Sequence, residues 1–302
     1  MNLDNAQLAA FAMVIREGSF EAAARRLHVT PSAISQRIKQ LEERLGQVLV
    51  QRATPCVPSV AGQALVRFAE EVALLETEML AALGSSSGEE PPMVRIPVAV
   101  NADSLDSWFL DVPGTLPDGL QVVFDLHVDD QDHSAVLLRE GSVMAAVSAN
   151  PAAIQGCSVA PLGLMRYLAV ASPGFLARHF ADGVDAAALR RAPMLRFNAK
   201  DGLQHQFIAA RTSEAVAPPI HLVPSVHGFV GLARRGLGWG MVPEAFARQP
   251  IAAGDLAEIV PGAYLDVPLY WHCWRLPSAA LAALTAAVER AAAAGLWPMP
   301  KG

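Results

Sequence analysis

The sequence predicts an α/β protein in which a small helical head, one long helix and a two-lobed α/β body follow one another along 302 residues. Three observations predict this order: apolar residues at helical spacing, then a stretch with almost none, then short β-like runs that alternate with helical segments. A chain of this length suits two or three compact units. The predicted division is a head at 1–58, a linker helix at 59–83, a hinge at 84–92, lobe I at 93–165 with 268–302, and lobe II at 166–267.

Three helices and a short strand pair are predicted for the head. Apolar residues at helical spacing over 3–15 give the first helix, and the second, over 20–27, is too short to be stable alone. Thr30 is a good N-cap for the third helix because Pro31 follows at the first helical position, where a missing N–H costs nothing. Apolar runs between 48 and 58 predict two strands around a turn, which is a wing. The head is therefore predicted to be a winged helix-turn-helix.

The third helix has the two faces that a recognition helix needs. Apolar residues recur at spacings of four, three and four from Ile34 to Leu45, and polar residues occupy another face. Such a helix fits the major groove of DNA, where Gln36 can pair with adenine and Arg37 or Lys39 can hold phosphate or guanine. An ordinary solvated face would be equally polar, but the short helix and tight turn before it favour DNA. The predicted DNA-contacting residues are Ser19, Arg25, Thr30, Ser32, Ser35, Gln36, Arg37, Lys39 and Arg52.

The charge distribution permits DNA binding only in the head. The whole chain carries a formal net charge of −6. Residues 1–58 nevertheless carry seven Arg or Lys against five Asp or Glu, whereas residues 59–90 carry one base and six acids. Only the first segment can therefore meet phosphates without strong repulsion. This excess of positive charge is modest and does not by itself demonstrate DNA binding.

The long helix carries a regular apolar seam. Its members alternate at spacings of three and four, as in a coiled coil of about three heptads: Leu65, Phe68, Val72, Leu75 and Met79. Dimerisation through this seam is favoured, because an isolated helix between two domains has little else against which to bury it. Packing of the helix on its own domain remains the alternative. The almost apolar-free residues 84–92 then predict a flexible hinge.

The body is predicted to contain largely parallel sheets, because its strands alternate with helices. In such sheets ligands bind at the carboxyl ends of the strands, where helix N-termini offer N–H groups to anions. Serine hydroxyls there can hold an α-carboxylate, and aspartates can hold an ammonium or a basic side chain. Simple helix capping explains each residue equally well. The predicted ligand-binding residues are Asp103, Ser104, Asp129, Asp130, Ser148, Asn198 and Ser225.

Several other classes of protein are disfavoured by the sequence. The first five residues have neither the basic start nor the apolar run of a signal peptide, and no stretch approaches the roughly 18 to 20 apolar residues of a membrane span. Three widely separated cysteines and eight scattered histidines argue against zinc, other metals and disulfides. No Ser-His-Asp or Cys-His grouping is indicated. We therefore predict a cytoplasmic protein that is not an enzyme, makes no membrane contact and has neither metal nor cofactor.

The run from Phe20 to Glu42, FEAAARRLHVTPSAISQRIKQLE, closely resembles the DNA-binding signature of LysR-type transcriptional regulators, and Pro58 to Gln63 resembles the adjoining wing side. Thr54 departs from the family, since many members have an arginine there. The resemblance extends to the linker helix and to the segment 236–243, so it covers essentially the whole chain. It implies a two-lobed, periplasmic-binding-protein-like effector domain. Segments 98–105 and 269–272 further resemble the ArgP/LysG (IciA-type) branch.

This branch implies a specific regulatory function. Its members sense lysine or arginine and activate the gene of a basic amino acid exporter, and some act as inhibitors of chromosome replication initiation. We therefore expect a homo-oligomer, a dimer or tetramer joined through the linker helix, that binds an inverted-repeat operator in double-stranded DNA and contacts RNA polymerase. One alternative is an architectural or replication-inhibiting DNA binder without effector dependence. Another is an enzyme or solute-binding protein with an incidental helical head.

Overall fold

The computed structural model describes residues 3–84, 93–128 and 134–300. The head begins with three helices, α1 (Asn5–Glu17), α2 (Phe20–Arg26) and α3 (Pro31–Leu45). Strands β1 (Val50–Gln51) and β2 (Val57–Pro58) then pair antiparallel to form the wing. The predicted winged helix-turn-helix is therefore confirmed.

Local hydrogen bonds define the ends of the head helices. The hydroxyls of Ser19 and Thr30 accept the backbone N–H groups of Ala22 and Ala33, each at 3.2 Å, so both residues are N-caps. Gly18 ends α1 with φ +67°, and a side chain at this position would also collide with Pro55. The helices enclose a core of their own, formed by the side chains of Phe11, Val14, Ala23, Ile34, Ile38, Leu41 and Leu49.

Helix α4 (Val60–Gly84) connects the head to the body and has two different faces. Val66, Ala69 and Leu74 are buried, since α4 packs on α1 of the head and on elements of the body. Exposed side chains mark another face: Phe68, Leu75, Met79, Leu80 and Leu83. Part of the predicted seam is therefore uncovered within one chain. Of the predicted hinge, residues 85–92 lie outside the described residues.

Glu70 of α4 joins the head to the body through ion pairs. Its carboxylate accepts from Arg16 of α1 at 2.6 Å and lies 3.6 Å from Arg95, which is also paired with Asp125. Glu70 is only 7% exposed. A carboxylate removed from water is stable only when it is well paired, so these two arginines, which come from different parts of the chain, permit its burial.

In the described part of the body, the strands form one seven-stranded sheet and one strand pair. The strands of the large sheet are β3 (Val94–Val100), β4 (Val122–Val128), β5 (Ala145–Ser148), β6 (Cys157–Ala171), β9 (Gly240–Pro243), β10 (Ala257–Glu258) and β11 (Tyr264–Trp274). Their order is β10-β6-β11-β5-β3-β4, with β9 also paired to β6. The strand pair is β7 (Met194–Arg196) with β8 (Ile220–Leu222), and it is parallel.

The prediction of largely parallel sheets was wrong for the large sheet. Among its described strands, only the pairs β3–β4 and β3–β5 are parallel. The long strands β6 and β11 run antiparallel from Tyr264 opposite Leu168 to Trp274 opposite Cys157, and β9 and β10 also join β6 antiparallel. Both long strands cross the predicted boundary between the lobes. We call this pair the interlobe ribbon.

Helices cover the sheets and complete the core. They are α5 (Ala102–Leu105), α6 (Ser134–Glu140), α7 (Pro173–His179), α8 (Ala186–Arg191), α9 (Leu203–Ala209), α10 (Val226–Arg234), α11 (Glu244–Ala252) and α12 (Ala279–Gly295), with 3-10 turns at Trp108–Asp111 and Pro113–Thr115. Helix α12 packs against β6 and β11 and buries Leu281, Leu284 and Val288. The three cysteines are buried and unpaired. Among the described helices, none has the length and apolar character needed to cross a membrane.

Candidate functional site

The exposed face of α3 presents most of the polar residues predicted for DNA. Ser32, Gln36 and Lys39 are exposed, and Ser35 is half-buried beside them. Their spacing places them on one side of the helix, while Ile34, Ile38 and Leu41 pack into the head on the other. Thr30 is also exposed, but its hydroxyl caps α3 and bonds to that of Ser32 at 2.9 Å. The N-terminal half of α3 is therefore free to approach DNA.

The other predicted DNA contacts lie around this helix. Arg25 on α2 and Arg52 beside the wing are exposed, and the Arg52 guanidinium lies 4.9 Å from the centre of the Phe20 ring. Arg37 is half-buried. Ser19 is half-buried too, and its hydroxyl both caps α2 and donates to Glu21 at 3.0 Å. Ser19 therefore acts first as a cap and offers less to DNA than its neighbours.

A cavity of about 620 Å³ lies between the two lobes of the body. Residues 101–103, which follow β3, and the ribbon residues 266–268 form part of its wall. The remainder includes residues 197–198 and 200–203, which follow β7, together with the start of α10 and the end of β9. The volume lies within the range of small-molecule sites, roughly 300 to 1,000 Å³. The cavity is therefore large enough for an amino acid.

Only some of the residues predicted to bind a ligand line this cavity. Asp103 and Asn198 do so. Ser104, Ser148 and Ser225 do not: Ser104 is fully buried, Ser148 accepts the N–H of Asn150, and Ser225 caps α10. The capping alternative therefore describes Ser225 better. Asp129 and Asp130 lie outside the described residues.

Asp103 is a carboxyl group with a strongly altered affinity for protons. The hydroxyl of Tyr167, a fully buried ribbon residue that the sequence did not indicate, donates to its Oδ2 at 2.6 Å. Burial raises the pKa of Asp103 from 3.8 to about 6, opposed by the Tyr167 hydrogen bond and reinforced by the negative charges of Asp201 and Asp106. A cation in the cavity would relieve this unfavourable environment of the ionised carboxylate.

Asp201 contributes a second carboxylate, on the wall that belongs to lobe II. The backbone N–H groups of Phe197 and Leu203 donate to it at 2.9 and 3.1 Å, and these bonds fix the loop after β7. Lys200 of the same loop also lines the cavity. Asp201 and Lys200 were not predicted from the sequence, although their position shortly after a strand, close to Asn198, was a usable signal.

Asp266 provides a third carboxylate, which is already paired. Arg166, opposite it on the ribbon, donates to both of its oxygens at 2.8 Å. This bidentate pairing satisfies Asp266 and leaves it less negative charge to offer to a ligand. Asp103 and Asp201 are therefore the carboxylates of the cavity best placed to hold a cation.

Comparisons with known proteins agree with both parts of the molecule. The family model "Bacterial regulatory helix-turn-helix protein, lysR family" matches residues 6–63, and the model "LysR substrate binding domain" matches residues 118–293. The HTH-type transcriptional regulator LysG of Mycobacterium tuberculosis is 50% identical over 295 residues, which is 98% of this chain and 95% of the relative.

Two further proteins are similar over nearly their whole length. The lysine export transcriptional regulatory protein LysG of Corynebacterium efficiens is 44% identical over 284 residues, covering 94% of this chain and 96% of the relative. The solved structure of full-length LysG from Corynebacterium glutamicum with bound effector Arg superposes with a TM-score of 0.76 at 38% identity, covering 98% of this chain and all of that one.

Proposed function

This chain belongs to the LysR family of transcriptional regulators, and we propose that lysine or arginine binds in its interlobe cavity and thereby controls transcription of a basic amino acid exporter gene. The presence in one cavity of two carboxylates besides the arginine-paired Asp266, namely Asp103 and Asp201, with one ammonium group, Lys200, supports this proposal most strongly. The Corynebacterium relatives, one named for lysine export and one solved with Arg, support it independently. The proposed function is regulatory, belongs in the cytoplasm and needs no catalytic step.

The charges of the cavity match those of a basic amino acid. Lysine and arginine each carry two cationic groups and one carboxylate. Asp103 and Asp201 can each accept charge-assisted hydrogen bonds from one cationic group, and Lys200 can donate to the carboxylate. Because Asp103 is half-buried, its attraction to a cation is stronger than it would be on the open surface. An acidic amino acid has a single cationic group, its α-ammonium, so it would leave Asp103 or Asp201 without a cation and would add a second carboxylate to the cavity.

The head is proposed to read DNA through the exposed face of α3. Gln36 reaches a base edge, Ser32 and Ser35 lie beside it, and Arg25, Arg37, Lys39 and Arg52 contact phosphates. The exposed face of α4, with Phe68, Leu75 and Met79, supports a dimer, and pairs of dimers would form a tetramer. Two-fold symmetry then favours an inverted-repeat operator, and the effector would change DNA bending or contact with RNA polymerase.

Calorimetric titration with all twenty amino acids tests the identity of the effector. Lysine or arginine is expected to bind, and Asp201→Asn should abolish that binding. Asp111→Asn is the matched control, since Asp111 is exposed and does not line the cavity. Binding only of acidic or aromatic amino acids would contradict the proposed effector. Footprints on the promoter of the exporter gene should change when the effector is added, whereas unchanged footprints would favour an effector-independent DNA binder.

A further inference from the structure

Arg166 occupies an unusual position on the interlobe ribbon. Besides its two bonds to Asp266, its guanidinium is enclosed by aromatic rings: its central carbon lies 3.6 Å from the centre of the Tyr264 ring and 4.3 Å from that of Trp297. A cation between two aromatic faces is stabilised by the electron density of both rings. Because Asp266 lines the cavity, this stack connects the cavity wall to Trp297 near the C-terminus.

Trp297 contacts residues on both sides of the predicted boundary between the lobes. Its backbone exchanges two hydrogen bonds with Leu164, at 2.8 and 3.0 Å, which anchors it to the middle of β6, just on the lobe I side of the predicted boundary. Its indole N–H donates to Glu244 at 2.8 Å, at the start of α11 in lobe II. Residues 296–297 pack closely against β6, since a side chain at Gly163, where φ is +154°, would collide with Leu296 and with the Trp297 carbonyl.

Lobe separation and the Trp297 contacts therefore cannot change independently. Glu244 directly follows Pro243, and both Val242 and Pro243 line the cavity. A rotation of lobe II about the ribbon would move Glu244 away from an indole whose backbone is held by lobe I. The same rotation would separate Asp103 from Asp201, because they belong to different lobes.

We propose that Trp297, Arg166, Asp266 and Glu244 form an interlobe latch that holds the two walls of the effector cavity at the separation a basic amino acid requires. Arg166 and Trp297 are then positioning residues for the effector, and they do not contact it. The inference rests on the proposed function, since it concerns the same cavity. Without the latch, a smaller fraction of the molecules has the lobe separation at which the effector can bind. The apparent Kd equals the intrinsic Kd divided by that fraction, so it rises as the fraction falls.

Four substitutions in the full-length protein separate the contributions to the latch. Trp297→Leu removes the stack and the indole donor, and Trp297→Phe retains a ring without the donor. Glu244→Ala removes the acceptor, and Glu244→Gln retains one. Leu110→Ala is the control, because Leu110 is exposed and lies outside the latch. Trp297→Leu is expected to weaken arginine and lysine binding about fivefold or more, Trp297→Phe and Glu244→Ala less, and Glu244→Gln least.

Two measurements distinguish loss of the latch from a general loss of stability in the variant. Hydrogen exchange without any amino acid should accelerate in the ribbon of Trp297→Leu but not in the head. Trp297 is 40% exposed, whereas the other four tryptophans are at most 4% exposed, so a change in tryptophan emission on adding arginine should disappear in Trp297→Phe. Three results for Trp297→Leu would each overturn the latch. They are hydrogen exchange in the ribbon at the native rate, native affinity for arginine and lysine, and an equal loss of exchange protection throughout the chain. If the native protein binds neither lysine nor arginine, the proposed function fails, and ribbon exchange alone decides the latch.

Discussion

The head and the effector cavity differ in how the chain assembles them. The proposed DNA contacts lie within residues 19–52, and apart from Arg52 they belong to two helices whose N-caps, Ser19 and Thr30, bond to backbone three residues away. The cavity wall instead combines segments from residue 101 to residue 268. Ser32 and Gln36 on α3 are exposed, whereas Asp103 is half-buried, bonds to Tyr167 on a distant strand and lies near another carboxylate. A substitution of Gln36 should therefore change function alone, and one in the cavity should change function and stability together.

Asp103→Asn should give the largest effect and tests the coupling in the cavity. Arginine or lysine should bind about 30-fold more weakly or worse, since losing one partner of a buried charge pair costs about 2–5 kcal/mol. Titration calorimetry on the native and mutant proteins measures this change.

The same substitution should stabilise the protein at pH 7.5. The pKa of Asp103 is raised from 3.8 to about 6 by folding, so the folded state binds the proton more tightly and loses stability as pH rises through this interval. Asparagine cannot ionise and should recover on the order of 1 to 2 kcal/mol above pH 6. Denaturant melts at pH 7.5 and pH 4 check the sign, and a lower stability of the mutant at pH 7.5 would contradict it.

Gln36→Ala tests the independence of the head. Binding to the operator should weaken by about 1–3 kcal/mol, and selectivity should relax at the base that Gln36 contacts. The melting temperature and the affinity for arginine should stay native because Gln36 is exposed. Gel-shift titrations on the native operator and on single-base variants measure both effects, with Gln47→Ala as an exposed control. A uniform loss on all sequences would instead assign Gln36 to phosphate.

The pH dependence of the two regions should differ. A bound cation favours ionised Asp103, so binding below about pH 6 requires release of a proton. The affinity for arginine should fall by about tenfold per pH unit below that value and level off above it. Operator binding without effector should not follow this curve. Parallel titrations between pH 5 and 8 check both statements, and Asp103→Asn should remove the dependence of arginine binding.

Glu70→Gln should have the smallest effect on stability and binding. It tests whether the head and the effector cavity communicate through Glu70. An amide retains a hydrogen bond to Arg16 but loses the charge that Arg16 and Arg95 share. We expect a loss of stability of about 1 kcal/mol, while arginine affinity and operator affinity measured separately remain native. The response of DNA binding to arginine should diminish. A full response in gel shifts would show that the two regions communicate by another route.

The sequence predicted the head more fully than the cavity for a physical reason. Caps, helix faces and the wing depend on neighbours within a few residues, so the roles of Thr30 and Ile34 follow from local pattern. In the body, Asp103 and Asn198 were predicted because they follow apolar runs typical of strands, and both line the cavity. Tyr167 and Asp266 were missed because they lie within long strands, and the face of a strand that meets a cavity depends on distant partners. The start of β6, with Pro161 and Gly163, also lacks an apolar run that would predict a strand.

The position of Glu70 has a consequence for engineered sensors. Its carboxylate is satisfied by one arginine from the head and one from the body, although it belongs to neither. A chimera that joins this body to a foreign head at residue 58 would keep Glu70 and Arg95. Its head would have an arginine at the position of Arg16 only if the foreign sequence supplies one. A suitable foreign head therefore has an arginine at that position. Otherwise Glu70 should be replaced together with the head.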